Sequence, residues 1–122
     1  MSTALLGTWE MIRAESAGEN SPELLALRVE LHLTADTYAV RFGGQIADRG
    51  FYTRDLTGSP ATLTLVGTEG PNRGRTIPCI FQLVGNRLRI CYGLDGTAPT
   101  AFATTAVSSH YLATYRRKAP LA

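Results

Sequence analysis

The stretch LRVELHLTADTYAVRF, residues 27–42, indicates the fold more clearly than any other part of the chain. Apolar and polar residues alternate through its first half, and a second alternation follows, a period typical of β-strands with one buried face. A two-residue connection at Ala35 and Asp36 predicts a hairpin whose apolar pairs share one face: Leu33 with Tyr38, Leu31 with Val40 and Val29 with Phe42. A lone hairpin is marginal in water, so the rest of the chain must cover this face.

Length and composition predict one globular domain. The 122 residues form a single domain, 1–122, with an ordered core from about residue 5 to residue 118. No apolar run approaches the roughly 20 residues that a membrane helix needs, so we expect no membrane contact. The segment before Gly7 is too short for a signal peptide, which predicts a cytoplasmic protein.

The charge distribution argues against a nucleic-acid partner. The net charge is +2, and the arginines are spread over many segments, with one local run at residues 116–118. Phosphate binding requires basic charge gathered on one face. The sequence carries no signal for an oligomeric state.

A Gly-Thr-Trp opener, which ends at Trp9, begins a predicted first strand at Gly7–Ser16. A Gly-x-Trp opener before antiparallel strands resembles the signature of lipocalin-type barrels. The resemblance implies that Trp9 closes the barrel floor and that a basic residue of the last strand, Arg116 or Arg117, lies over it. A cation over an indole face contributes about 0.5–2 kcal/mol, so this pair is structural, and Trp9 as a core residue fits the same arrangement.

A short helix start lies between the first two strands. Ser21 is suited to the N-cap of a helix, Pro22 is suited to the first helical position, and Glu23 places an acidic residue in the first turn. Only one or two turns fit before Leu27, so this segment either covers one mouth of a barrel or merely bridges two strands.

A second hairpin is predicted over residues 75–92. A two-residue turn at Gly85 and Asn86 places six residues on one apolar face, in the pairs Leu83 with Leu88, Phe81 with Ile90 and Cys79 with Tyr92. Cys91 then lies beside Ile80 on the other face. We therefore expect no disulfide and no metal site at the cysteine pair, in agreement with a reducing compartment.

The remaining segments complete the predicted strand count. Residues 45–54 form a strand in which Gly50 indicates a bend or bulge, residues 62–65 and 110–117 form two more, and a long connection spans residues 93–109. No predicted helix is long enough to cover a sheet. The sequence therefore predicts an all-β fold, an eight-stranded antiparallel up-and-down lipocalin-like barrel with one short helical turn between strands 1 and 2.

Nearly the whole chain resembles a small bacterial family of lipocalin-like, calycin-type barrels that is best known from planctomycetes and has no assigned function. The matching pieces include a Gly-Pro-x-x-Gly loop and a Cys-Tyr strand ending, and they are residues 6–9, 21–24, 50–51, 69–74, 80–83, 88–92 and 99–102. The chain departs from the family at Ala98, where an Arg is usual before Pro99. The chain is also similar to fatty-acid-binding barrels in Tyr115. It has Ala113 where those barrels carry an inward Arg, so the resemblance does not imply that a basic side chain binds the carboxylate of a ligand.

Few residues suggest catalysis, a metal or a cofactor. His32 and His110 have the character of surface residues, and no His-x-Glu or Cys-x-x-Cys spacing suggests a metal. The glycine-rich loop 67–74 precedes a strand and lacks the P-loop Lys, so we predict no nucleotide site and no cofactor. Three carboxylates qualify as general bases only if the fold turns them inward: Asp48, Asp55 and Asp95.

Three classes of function remain open for such a barrel. The first is non-enzymatic binding of a small, largely apolar molecule, in a cavity lined by Tyr38, Phe42, Phe81, Tyr92, Tyr111 and Tyr115. The second is a filled barrel that acts as an interaction or structural module. The third is a barrel cyclase or isomerase that folds a polyketide-like substrate by shape. No residue is assigned a catalytic role, and the sequence favours binding over catalysis.

Overall fold

The computed structural model describes residues 5–20, 28–105 and 110–119 and shows nine β-strands in that part of the chain. Their bounds are β1 (Gly7–Ser16), β2 (Glu19–Asn20), β3 (Val29–Leu33), β4 (Thr37–Phe42), β5 (Gln45–Asp55), β6 (Ala61–Glu69), β7 (Thr76–Val84), β8 (Arg87–Gly93) and β9 (His110–Ala119). The predicted helical turn between the first two barrel strands, residues 21–26, lies outside these ranges. Among the described residues, no helix is long and apolar enough to cross a membrane.

Eight of the nine strands form one closed antiparallel barrel. From β3 to β9 each strand pairs with the next along the chain, while β1 pairs with β3 on one side and with β9 on the other. The two-residue strand β2 only extends the end of β1 as a small hairpin. The eight-stranded barrel predicted from the sequence is therefore confirmed, and closure buries the apolar strand faces inside it.

Both predicted hairpins have the predicted register. Leu33 lies opposite Tyr38 across β3 and β4, Leu83 lies opposite Leu88 across β7 and β8, and the other predicted pairs follow in step. Gly85 has a φ of 59°, in the left-handed region that its turn position requires. The bend expected at Gly50 is also present, as a register shift between β5 and β6.

The strand β3 begins two residues later than the alternation predicts. Arg28 has a φ of 52°, a left-handed conformation that cannot continue an extended strand. Its carbonyl still accepts a hydrogen bond from the Gly43 N–H at 3.4 Å. This single hydrogen bond, which lies beyond the paired residues of β3 and β4, closes the open end of their hairpin.

The two cysteines lie on opposite faces of the sheet, as predicted. Cys79 pairs with Tyr92 and belongs to the interior, whereas Cys91 pairs with Ile80. Both are free thiols, and both are buried. Burial raises the pKa of each thiol, so neither has the character of a reactive thiolate.

The alternating strand directions give the barrel two ends. The lower end carries the β3–β4, β5–β6 and β7–β8 connections, and the upper end carries the β4–β5, β6–β7 and β8–β9 connections. At the lower end Trp9 is fully buried, its Nε1 donates to the Leu5 carbonyl at 3.0 Å, and the Arg117 guanidinium lies 4.2 Å from the centre of an indole ring. Arg116 lies instead on the outer surface, paired with Glu10.

Side chains fill the lower half of the barrel. They belong to one hydrophobic cluster, each is at most 4% exposed, and they include Leu33, Tyr52, Leu63, Phe81, Leu88 and Ile90. The Tyr52 hydroxyl donates to the Thr34 carbonyl at 2.6 Å, which ties β5 to the β3–β4 turn. This half of the barrel is a packed core.

In the described part of the long connection, Phe102 and Thr104 pack against the outside of the barrel. The Arg89 guanidinium lies 4.3 Å from the centre of the Phe102 ring. The Thr104 hydroxyl, nearly buried, accepts a hydrogen bond from the Gly18 N–H at 2.9 Å. This segment therefore bridges β8 and the end of β1 on the outer face.

Candidate functional site

A cavity of about 320 Å³ occupies the upper half of the barrel. Aliphatic side chains from six parts of the chain form much of its wall: Met11, Leu31, Val40, Leu65, Ile77 and Leu94. Cavities that hold small ligands range from about 300 to 1,000 Å³ and are mostly apolar with a few polar groups. This cavity has the size and character for one small molecule.

Five of the six aromatic residues predicted to line a cavity lie on this wall: Tyr38, Phe42, Tyr92, Tyr111 and Tyr115. Phe81 does not. It points inward as predicted, but it lies four residues further down β7 than Ile77 and packs in the filled lower half. Strand alternation predicts which face a side chain occupies, but it carries no information on height in the barrel. Trp9 and Arg117 lie below the cavity, at the lower end.

Three tyrosines form one side of the cavity. The hydroxyl oxygens of Tyr92 and Tyr115 are 2.7 Å apart, and the rings of Tyr92 and Tyr111 stack with centres 5.7 Å apart. Burial raises the pKa of Tyr111 to about 12 and also raises the pKa of Tyr92 and of Tyr115. All three are neutral phenols at neutral pH, so they offer hydrogen bonds and ring faces but no charge.

One carboxylate, that of Asp48, lies on the otherwise uncharged wall. Asp48 is 8% exposed, and its Oδ2 accepts a hydrogen bond from Asn72 Nδ2 at 2.9 Å. Its Oδ1 is buried and has no hydrogen-bond partner, and the same is true of the Tyr38 hydroxyl. Burial raises the pKa of Tyr38 to about 12, and the neighbouring Asp48 carboxylate adds to this through its charge and through a hydrogen-bond interaction in which the phenol donates. Two buried polar atoms on one cavity wall therefore lack a hydrogen bond of good geometry, an arrangement that is rare in native proteins.

The glycine-rich loop between β6 and β7 holds the Asp48 side chain in place. Arg75 donates from Nη1 to Asn72 Oδ1 at 3.1 Å, which turns the Asn72 amide nitrogen towards Asp48. A second Arg75 nitrogen donates to the Leu94 carbonyl. At Gly70, φ is +93° and an added Cβ would stand 2.9 Å from Asp48 Oδ1. The loop thus orients a carboxylate, a role that its glycine pattern did not reveal.

A β-bulge turns Asp48 into the barrel. In a regular hairpin around Gly43 and Gly44, Val40 would face Ala47 and Asp48 would point outward. The register shifts between Val40 and Arg41, so that Val40 faces Asp48 instead. Sequence reasoning therefore missed Asp48 as a wall residue. The available signal was that Asp48 lies two and four residues before Gly50 and Tyr52 and so shares their face of β5.

The other two candidate carboxylates stay outside the barrel. Asp55 and Asp95 are exposed, and each accepts hydrogen bonds within its own loop, from Thr57 and from Thr97 respectively. These bonds lower the pKa of both carboxyl groups. Of the three possible general bases, only Asp48 reaches the cavity.

Neither histidine lies on the cavity wall. His32 Nδ1 is 3.0 Å from Thr8 Oγ1, and its Nε2 is 3.4 Å from Glu30. His110 Nε2 is 3.5 Å from Asp95. Within the described ranges, no group of three His, Cys, Asp or Glu side chains has the arrangement of a metal site.

Comparison of the chain with protein-family models and with curated proteins finds no match. The chemistry of the site follows from its own residues. These form an apolar and aromatic wall with one buried carboxylate, that of Asp48, and the phenol of Tyr38 beside it.

Proposed function

We propose that this protein binds a small, largely apolar molecule in the upper cavity of its barrel and does not transform it. The observation that carries the proposal is the cavity of about 320 Å³, which combines an apolar wall with two unsatisfied polar atoms. Apolar walls supply affinity, and a few polar groups orient the ligand. Eight-stranded barrels of this size either fill with side chains or hold one such ligand.

The division of the barrel into a packed and a hollow half supports binding over the filled-barrel alternative. The lower half contains core residues that are almost fully buried, such as Leu88 and Ile90. The upper half has inward tyrosines in place of such packing. The cyclase or isomerase alternative uses the same cavity with Asp48 as its base, and it predicts that a bound molecule is converted, whereas binding predicts that it leaves unchanged.

The first test is native mass spectrometry of freshly purified protein, compared with its denatured mass. We expect extra mass that is lost on denaturation, and the released molecule identifies the ligand class and shows whether it has been altered.

A cavity-filling variant locates the binding site. Val40 lies on the cavity wall, whereas Val66 is 42% exposed on the outer surface. We expect N-phenylnaphthylamine, an uncharged apolar dye, to bind the native protein saturably. Val40→Phe should weaken this binding by about tenfold or more because the added ring takes up ligand space, whereas the matched Val66→Phe should bind as the native protein does. Equal binding by both variants, or none by the native protein, would contradict the proposal.

A further inference from the structure

We propose that the ligand of this cavity is an organic cation, a small apolar amine whose ammonium group pairs with Asp48. This inference rests on the proposed binding function and specifies the chemistry of the molecule bound. Two independent features of the wall carry it, the unpaired carboxylate oxygen and the aromatic side chains around the same space.

The charge of the wall is the first feature. Among the described residues that line the cavity, Asp48 is the only acidic or basic side chain. A carboxylate offers about four acceptor positions, and among the described residues Asp48 receives one hydrogen bond of good geometry, from Asn72. Burying a carboxylate oxygen without a well-placed donor is costly, so a ligand that brings a donor to Asp48 Oδ1 is favoured. A protonated amine supplies both the donor and the opposite charge.

The position of the carboxylate is set before any ligand arrives. Arg75 fixes the Asn72 amide, and Asn72 binds only Oδ2, which leaves Oδ1 unpaired. Gly70 packs directly against Oδ1, as the 2.9 Å approach of its hypothetical Cβ shows. A group held in advance by its neighbours loses less entropy on binding, so this loop favours a specific ligand contact.

The aromatic wall is the second feature. Five aromatic side chains line the cavity, and four of them are tyrosines with neutral hydroxyl groups. Aromatic ring faces attract cations, most strongly where water is excluded. The Tyr38 hydroxyl, whose proton is directed towards Asp48, adds oxygen lone pairs that can accept a hydrogen bond near the carboxylate. A cation gains from each of these groups, whereas a neutral apolar molecule gains only from the area of the wall.

The same wall disfavours an anionic ligand such as a fatty acid. A carboxylate in the cavity would meet no basic side chain among the described lining residues and would face the charge of Asp48. The cavity should therefore discriminate between ligands of equal length by the charge of their head group.

The test compares three molecules that share one chain and differ in the head group: octylamine, octanol and octanoate. Isothermal titration calorimetry at neutral pH, where the amine is protonated, measures each affinity. We expect octylamine to bind about tenfold or more tightly than octanol, and octanoate to bind weakest. Asp48→Asn preserves the side-chain shape and removes the charge, so the preference for octylamine over octanol should vanish.

Asp36→Asn is the matched control, because it makes the same change of charge at an exposed turn of the lower end. It should keep the native order of affinities. If octanol binds as tightly as octylamine to the native protein, the cation inference is wrong while the binding function stands. If none of the three molecules binds, the binding function itself fails. A preference for octylamine that survives Asp48→Asn would assign the selectivity to the tyrosines and overturn the role of Asp48.

Discussion

Tyr92 and Tyr115 show how a polar pair is tolerated inside an apolar barrel. Both residues are buried, and their hydroxyl oxygens lie 2.7 Å apart. A buried hydroxyl without a partner costs about 1–3 kcal/mol, whereas removal of both partners together costs little. The stability of this pair therefore depends on whether one or both of its members are changed.

Tyr115→Phe should lower the free energy of unfolding by about 1–3 kcal/mol, because it leaves the Tyr92 hydroxyl without its partner. Tyr92→Phe should do the same. The double variant should be less destabilised than the sum of the two single changes, with a coupling of about 1 kcal/mol. Urea unfolding of the four proteins completes the cycle, and strictly additive losses would show that the hydroxyl contact contributes nothing.

Asp48 marks the limit of sequence reasoning at the residue scale. Its inward direction depends on one extra residue, Ala47, that shifts the register of β4 against β5. The sequence around Ala47 contains no proline and no unusual composition that would predict the register shift. The tyrosines, in contrast, lie on regular strand segments, and their alternation alone predicts that they face inward.

The strand β5 shows how an element with poor alternation is nevertheless well determined. It carries a register shift on each side, one against β4 and one against β6. At Gly50 a Cβ would stand 2.0 Å from the Val66 carbonyl oxygen, closer than any real contact. The close approach of β5 and β6 therefore requires glycine at this position.

Gly50→Ala should lower the free energy of unfolding by about 2–3 kcal/mol, because the backbones of β5 and β6 must separate. Gly74→Ala is a suitable comparison. It has a φ of +78° but no atom within 4 Å of the added Cβ, so it should cost only about 1 kcal/mol of backbone strain. Chemical denaturation measures both changes, and an equal loss in the two variants would refute the close-approach argument.

At the scale of elements, the hairpins were the most predictable part of the fold. Strict alternation and a two-residue turn leave one register that buries the apolar face, and both predicted hairpins have it. Phe81 packs in the core below the cavity, because the position of the boundary between core and cavity depends on the packing of all eight strands. That packing has no counterpart in the pattern of any single strand.

Folding of the barrel shields the tyrosine hydroxyl groups, which ionise at alkaline pH, from water. The chain has five tyrosines, and burial raises the pKa of each of them, to about 12 for Tyr38 and Tyr111. In the unfolded chain a tyrosine ionises near pH 10. Above that pH the unfolded state loses protons that the folded state keeps, so stability falls as the pH rises.

We therefore expect full tyrosine-linked stability below about pH 10 and a steep loss between about pH 10 and 12, by about 1.4 kcal/mol per pH unit for each tyrosine that stays protonated. Tyrosinate absorbance and circular dichroism, followed together, should change in a single step as the barrel unfolds. The urea-denatured chain is the control, with ionisation near pH 10. Tyrosinate that appears near pH 10 with the dichroism unchanged would contradict the burial of these rings.

Closure of the barrel also determines where anything attached to it emerges. Thr8 of β1 pairs with Ala119 of β9, so the outer ends of both strands lie side by side at the lower end, next to Trp9. Asp48 and Asn72 lie at the opposite end. A tether placed beyond either strand would hold the barrel on a sensor surface with its cavity directed towards the solution, and a reporter fused there would leave the upper end of the barrel unobstructed.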